Sequence, residues 1–464
     1  MNCNSTRNVA VEGDGTQVVG HVGLHVLGSF ADRMGLGAAL SEAVGWQGNG
    51  VPLHDRGKVL THEMLVLAGG GESCTDVEVL GSQPRLFGQV CSDSTLYRTF
   101  TETLDVDAVD RAQDAMARVR AQVWERSSAT TGVEAVILDL DASLVEIHSE
   151  NKEGAAAHYK GGYGFHPMFC FADATGEALG ATLRPGNAAA NSAADNLETL
   201  DAAVAQLAWG VAVGHRPGDD PAAVNRRLVV RSDSAGCTAG FVEGCRSRNI
   251  AFQVVARRKA AVSAAVAAAN ADDDRWVAAL EQDGTPQDSG EDDNKVAAVC
   301  EVTDLVDLSG RPEGTRLIVR REPLHPGAQQ TLLPDLQYRF WGHYTDMAGE
   351  VAELDRSMRA HAHVEDHIGR LKDSGLLRFP FTSLDANRAW LAVVCWAADL
   401  VRWFQLLCVT GPLAVALPKR MRWQFWHAPA RIVRTAGRDI VRILNGWPAA
   451  AEILAAYSRA AALA

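Results

Sequence analysis

Apolar residues recur along this chain first with helical and then with strand spacing, and the switches between the two divide it. After a polar stretch over residues 1–20, residues 21–130 show helical spacing, broken at Gly48-Asn49-Gly50, Gly69-Gly70-Gly71 and Pro84. A helical N-terminal region is predicted. Within it, VLTHEMLVLAGGGESCTDVEVL reads as helix, glycine turn and second helix, a layout compatible with DNA binding, although most such pairs only pack. At Val133 the period drops to two. VEAVILDLDASLVEI, GGYGFHPMFCFADATG and EALGATLRPG predict three strands, and an alanine-rich helix follows from Ser192 to Ala208. RRLVVRSDSAG and IAFQVVAR add two strands around a helix from Ala239 to Arg248. Five strands with these helices predict an α/β core over residues 131–257. Residues 258–345 read as an alanine-rich helix, an acidic stretch from Asp272 to Asp293 and three strand-like runs, together a β-rich insertion. A long helix is expected from Met347 to Lys372, within 346–378, and residues 379–464 read as helical.

Composition narrows the class. The 464 residues are 47% hydrophobic and 22% charged, ordinary for a globular chain of roughly two to four domains. The longest uncharged stretch near the C-terminus, Trp403 to Pro418, is shorter than a bilayer span and broken by Gly411-Pro412, so no membrane partner is expected. The start MNCNSTRNVAVEGDG lacks an export pattern, which points to the cytoplasm. Nine cysteines without a C-x-x-C pair indicate neither a disulfide framework nor a zinc ribbon. The formal charge of -13 argues against a chain coated in nucleic acid, yet Gly411 to Gly446 holds seven basic residues against Asp439 alone. An acidic protein can still grip a polyanion locally. In that segment, Trp423, Phe425 and Trp426 suit either phosphate binding with aromatic packing or an amphipathic helix on the core with solvated arginines.

Three carboxylates stand where solvation alone does not explain them. On the first strand Val136, Leu138, Leu140 and Leu144 share one face, while Asp139 and Asp141 lie on the other. One such Asp is usually a solvated strand end; two inside an apolar run call for a cation or a donor. Asp233 follows LVVRS and precedes Ser234-Ala235-Gly236, at the carboxyl end of a strand, where a turn or cap role competes with a site role. On the long helix Val351, Leu354, Met358, Glu365 and Ile368 share a stripe, so Glu365 interrupts an apolar face, with an ion pair to Lys372 as the bland alternative. An oxygen-only set of Asp, Asp and Glu suits Mg²⁺ or Mn²⁺ rather than zinc. Two such ions activate a water or a 3′-hydroxyl for in-line attack on a phosphodiester.

These residues resemble the DDE transposases of bacterial insertion sequences, in the subgroup with β-strands inserted between the second aspartate and the glutamate. The likeness rests on Asp141-Ala142-Ser143 in LDLDASLVEIHSE, on KEGAAAHYKGGYGFHPM and LRPGNAAANSAADN, on Asp233 in VRSDSAG, and on Glu365 with Lys372 in VEDHIGRLKDSGL. It spans Val51 to Pro448. The resemblance implies a ribonuclease H-like mixed five-stranded sheet flanked by helices, with a β-rich insertion and helical N- and C-terminal regions. It implies the division 1–20 tail, 21–130 DNA-binding helices, 131–257 core, 258–345 insertion, 346–378 core helix and 379–464 C-terminal region. It further implies two Mg²⁺ or Mn²⁺ ions on Asp141, Asp233 and Glu365, with Asp139 the rival first aspartate. The substrates would be terminal inverted repeats and target DNA, bound by a homodimer in the cytoplasm at the nucleoid. Cleavage through hairpin ends and strand transfer would follow, with Trp341 or Trp276 handling a flipped base.

In the family signature Y-x₂-R-x₃-E-x₆-K, Met358 stands at the tyrosine position and His361 at the arginine position. A histidine is a poorer permanent cation than arginine, and Arg359 is the nearby compensation. Lys372 and His361, with Lys152 and Lys160 in the loop after the first strand, would contact DNA; a solvated loop is the alternative for the last two. Two readings compete. HAHVEDH over residues 361–367 is similar to the H-x-H-x-D-H of metallo-β-lactamase-like hydrolases but has one residue too many and lies in a helical pattern. The other is an inactive or domesticated relative that binds DNA without cutting it.

Overall fold

The computed structural model describes residues 16–45, 52–130, 132–189, 191–287, 296–324 and 337–463. Most of the expected tail, the Gly48-Asn49-Gly50 break and the end of the acidic stretch lie outside these residues. A short strand β1 (Val18–Val19) precedes helices α1 (Val22–Arg33), α2 (Leu36–Val44), α3 (Arg56–Gly69) and α4 (Val106–Arg126). Asp55 and Asp105 cap α3 and α4, their carboxylates accepting from the Lys58 and Ala108 amides. The second helix expected after the glycine turn is reduced to a 3₁₀ turn at Cys74–Val77 and one α turn at Glu78–Gly81. α3 itself is buried along nearly its whole length, so this pair presents no exposed recognition helix.

Next come β2 (Ala135–Ala142), a small sheet of β3 (Val145–Glu146), β4 (Ala156–Ala157) and β5 (Tyr163–Phe165), then β6 (Met168–Ala172) and β7 (Glu177–Thr182). Helix α5 (Ala193–Ala205) starts on its Ser192 cap, and β8 (Arg227–Ser232), α6 (Ala239–Arg246) and β9 (Ile250–Val255) follow. The region expected as an insertion supplies α7 (Ala260–Asn270) and strands β10 (Val277–Ala278), β11 (Ala298–Glu301), β12 (Arg316–Pro323) and β13 (Tyr338–Thr345). These strands form no sheet of their own. β13 ladders antiparallel onto β9, so the sheet has nine strands rather than five, in the order β10-β11-β12-β13-β9-β8-β2-β6-β7. The physical reason is that β9 would otherwise be an open edge with unpaired backbone groups. β2, β8 and β9 run parallel, whereas β6 is antiparallel to both of its neighbours, β2 and β7.

Sequence alternation sorts the two sheet faces. Val136, Leu138, Leu140, Leu228, Val230, Ile250, Phe252 and Val254 join the apolar faces of α5, α6 and α7 in one core. The opposite face is polar at its centre: Asp139, Arg231, Gln253 and Thr345 stand at one register level across β2, β8, β9 and β13, all fully buried. Helices α8 (Val351–Arg359) and α9 (His363–Leu371) cover this row. The single helix expected over 347–372 is thus two, joined by a 3₁₀ turn at Ala360–Ala362.

The C-terminal region holds α10 (Leu384–Cys408), a β-hairpin of β14 (Ala430–Thr435) and β15 (Arg438–Ile443), and α11 (Ala450–Ala461). A helix was expected across the hairpin; instead Ala436 and Gly437 both take positive φ, the two-residue turn that matches strand twist. β14 also pairs with β1. α10 is long and apolar enough to cross a membrane, yet 78% of its apolar window is buried in the protein. Its Trp390, Trp396, Trp403 and Phe404 share one core with α1 to α4 and α11, so the N- and C-terminal helices are packed together. A buried network reinforces this: Arg120 donates to Glu177 (2.8 Å) and Asp399 (2.7 Å), while Trp124 and Trp403 donate to Glu177 (both 2.6 Å). It ties α4, β7 and α10 together, and burial pushes the Asp399 carboxyl up to about 7 against the attraction of Arg120.

Candidate active site

The parallel register of β2 and β8 positions the first two carboxylates. Leu140 pairs with Ser232, so the next residues, Asp141 and Asp233, stand at neighbouring carboxyl ends of two central parallel strands, about 4.8 Å apart by strand spacing. This is where open α/β sheets carry sites. Each carboxylate turns onto its own chain: Asp141 accepts from the Ala142 amide at 2.7 Å, and Asp233 caps a short 3₁₀ turn through the Ala235 amide at 2.8 Å.

Glu365 arrives from the other side. α9 lies against β2, and its buried residues are Val364, Ile368 and Leu371. Glu365 is exposed rather than part of the apolar stripe, because the tightened turn before α9 shifts the helical phase and buries His361 and Val364. The charges of Asp233 and Glu365 both reach Asp141. Burial raises Asp141, the Ala142 amide opposes this, and the charges of Asp233 and Glu365 add to the rise, carrying it to about 6. Among the described residues no three His, Cys, Asp or Glu side chains are gathered tightly enough to hold an ion as they stand. The donor chemistry nonetheless suits a hard divalent cation: three oxygen ligands, two at adjacent strand ends, whose mutual repulsion raises Asp141.

Asp139 has a different environment from Asp141, although the two share a face. It is fully buried, and its oxygens take two hydrogen bonds from Arg231 (2.7 and 2.6 Å) and one from His361 Nδ1 (2.8 Å). Burial raises this carboxyl, but the bonds from His361 and Arg231 outweigh it and hold the pKa below the ordinary value. Arg231 also reaches Asp173 (3.0 Å) and donates to the Ser357 carbonyl (2.6 Å), and His363 meets Asp173 at 3.0 Å. Gln253 donates to the Leu354 carbonyl and accepts from Ser357. The polar row therefore clamps α8 and the start of α9 to the sheet, one helical turn before Glu365. Arg231, Gln253 and Asp173 were not singled out in the sequence. The available signal was Arg231 itself, a charge inside LVVRS on the strand beside Asp139.

The expected DNA contacts divide. Lys372 is half-buried and Lys160 is exposed beside the Tyr159 ring; Lys372 has no hydrogen bond or ion pair among the described residues. His361 is buried on Asp139. Arg359 is held by Asp355 (3.0 Å) and the Leu280 carbonyl, and Lys152 donates to the Phe381 carbonyl at 3.0 Å. Each of these three has a protein acceptor for at least one of its donors. The aromatic candidates are also engaged: Trp276 donates to the Ala269 carbonyl under the Arg321 guanidinium, and Trp341 is half-buried beside His343. HAHVEDH gathers no zinc set: His361 faces Asp139, His363 faces Asp173, and half-buried His367 has neither ring nitrogen bonded.

Comparisons with known proteins place the chain. No curated protein matches it. Six chains of solved structures match, among them a piggyBac transposase synaptic complex with hairpin DNA solved by cryo-EM, at 9% identity and a TM-score of 0.42 over 88% of this chain and 80% of that one. The family model described as transposase DDE domain group 1 matches residues 1–464. By that full-length match, the chain belongs to the DDE transposase family, domain group 1.

Proposed function

We propose that this chain is the transposase of an insertion sequence, cutting DNA at terminal inverted repeats and joining the released 3′-ends to target DNA. The observation that carries the reading is the placement of Asp141 and Asp233 at neighbouring ends of β2 and β8, with Glu365 of α9 near enough for its charge to act on Asp141 together with that of Asp233. They would hold two Mg²⁺ or Mn²⁺ ions, which when bound activate the attacking hydroxyl and stabilise the leaving oxygen. The chain's own residues do the rest. The Asp139–Arg231–His361 cluster fixes α9 on the sheet, so Glu365 faces the strand ends with little reorganisation. Lys372 and Lys160 supply cations for DNA phosphates. The order β7-β6-β2-β8-β9, antiparallel then parallel, supports a ribonuclease H-like core over 131–257 and 346–378, with 258–345 as its insertion. A homodimer on paired element ends, hairpin intermediates and a cytoplasmic place of action complete the proposal.

The test is cleavage of a labelled duplex carrying the flanking inverted repeat, with Mg²⁺ or Mn²⁺. Asp141→Asn, Asp233→Asn and Glu365→Gln should each abolish nicking, while folded Asp139→Asn retains it. Specific binding without metal-dependent cutting would identify a DNA-binding relative instead.

A further inference from the structure

The three-stranded sheet β1-β14-β15 turns one face outward. Ala430, Ile432 and Arg434 of β14 face the protein side, where Ala430 and Ile432 are buried and Asp439, opposite Arg434, pairs with Arg85 at 2.9 Å. The alternate residues Arg431, Val433 and Thr435 point outward, opposite Arg442, Ile440 and Arg438 of β15. Arg431, Arg438 and Arg442 are exposed and have no hydrogen bond or ion pair among the described residues. Arg431 and Arg442 are direct cross-strand partners, an arrangement of like charges that is destabilising by itself. Charged residues on an edge strand discourage edge-to-edge pairing. That accounts for Arg438 and Arg442 on β15, but not for Arg431 on the central strand β14, set against Arg442.

We infer that this outward face is a binding surface for the phosphate backbone of duplex DNA, separate from the carboxylate site. The inference deepens the transposase reading and rests on it. Charge complementarity carries it: three arginines and no outward acid on the hairpin of a chain whose net charge is -13. Arg442 stands four positions after Arg438, so the cations span roughly 13 Å at strand rise, a length along which duplex DNA presents several phosphates. Asp439 is turned to the other face and neutralised by Arg85, which keeps repulsion away from the outward side.

The test measures affinity of the full chain for a duplex of random sequence across salt concentrations. Replacing Arg431, Arg438 and Arg442 together by Gln should weaken binding and lower the slope of log K against log salt by about 2.7, at about 0.9 for each phosphate left without its arginine. The triple Lys variant should keep the wild-type slope, since only charge is needed. Wild type that binds with a slope unchanged in the Gln variant would overturn the inference and leave the transposase reading intact. A Gln variant that binds duplex normally but loses self-association in sedimentation would also overturn it, assigning the face to a second copy. Wild type that neither binds nor cuts DNA would overturn the transposase reading itself.

Discussion

Replacing Asp139 and Asp141, two residues apart on the same face of β2, should have opposite effects on stability. Asp139 is fully buried and bonded to Arg231 and His361 at 2.6 to 2.8 Å. Asp139→Ala leaves Arg231 as a buried cation with weaker compensation from Asp173 and the Ser357 carbonyl, and breaking one side of such a pair costs about 3 to 5 kcal/mol. Asp141 is the reverse case. Its carboxyl is raised from 3.8 to about 6 by burial and by the charges of Asp233 and Glu365, so the folded chain binds its proton more tightly than the unfolded chain does. Stability from this group is therefore present at low pH and lost as pH rises from about 4 to about 6. Above that range Asp141→Asn should stabilise by about 1 to 3 kcal/mol, taking ~1.4 kcal/mol per pKa unit and discounting for partial exposure. The assay is urea unfolding at pH 7.5 followed by tryptophan fluorescence, without added metal. Equal destabilisation by the two variants, or an Asp139→Ala protein as stable as wild type, would refute this division between a clamp and a cation site.

Three other outcomes test the packing. Glu63 is fully buried with neither oxygen bonded, and burial raises it to about 8, so wild-type stability should fall between about pH 5 and pH 8. Glu63→Gln should remove that part of the profile, with a gain of up to about 5 kcal/mol at pH 8, checked by thermal melts across pH. Arg120→Ala leaves Glu177 and Asp399 buried without their shared cation, and a loss of about 3 to 5 kcal/mol is expected in the same unfolding assay. Ala436 holds a φ of 49°, which L side chains adopt at a cost; Ala436→Asn should gain up to about 1 kcal/mol, read as a small rise in melting temperature.

Much of the site was legible because strand alternation and strand ends are local properties. Asp139 and Asp141 on one face of a period-two strand, Asp233 just after LVVRS, and Ser192 as a helix cap could each be placed without knowing what packs against them. The hairpin was not legible: RIVRT and RDIVRI each carry two adjacent apolar residues instead of alternating, and their arginines suited an amphipathic helix or phosphate binding. The phase of Glu365 was misread, since a 3₁₀ turn that shifts a helix by a fraction of a turn leaves no mark in the residue types.

The sequence by itself determined which residues can carry charge at strand ends and which faces must be buried, because those follow from backbone periods of two and 3.6. Only the tertiary structure decided which charges meet. Arg231 lies far along the chain from Asp139, and the parallel register of β2 and β8 makes the one a buried structural anion while its neighbour Asp141 is left beside Asp233. The union of N- and C-terminal helices in one core, and the extension of the sheet from β9 to β13, were likewise settled by long-range packing. Burial and pairing across hundreds of residues set the energy of these groups, and no local pattern encodes them.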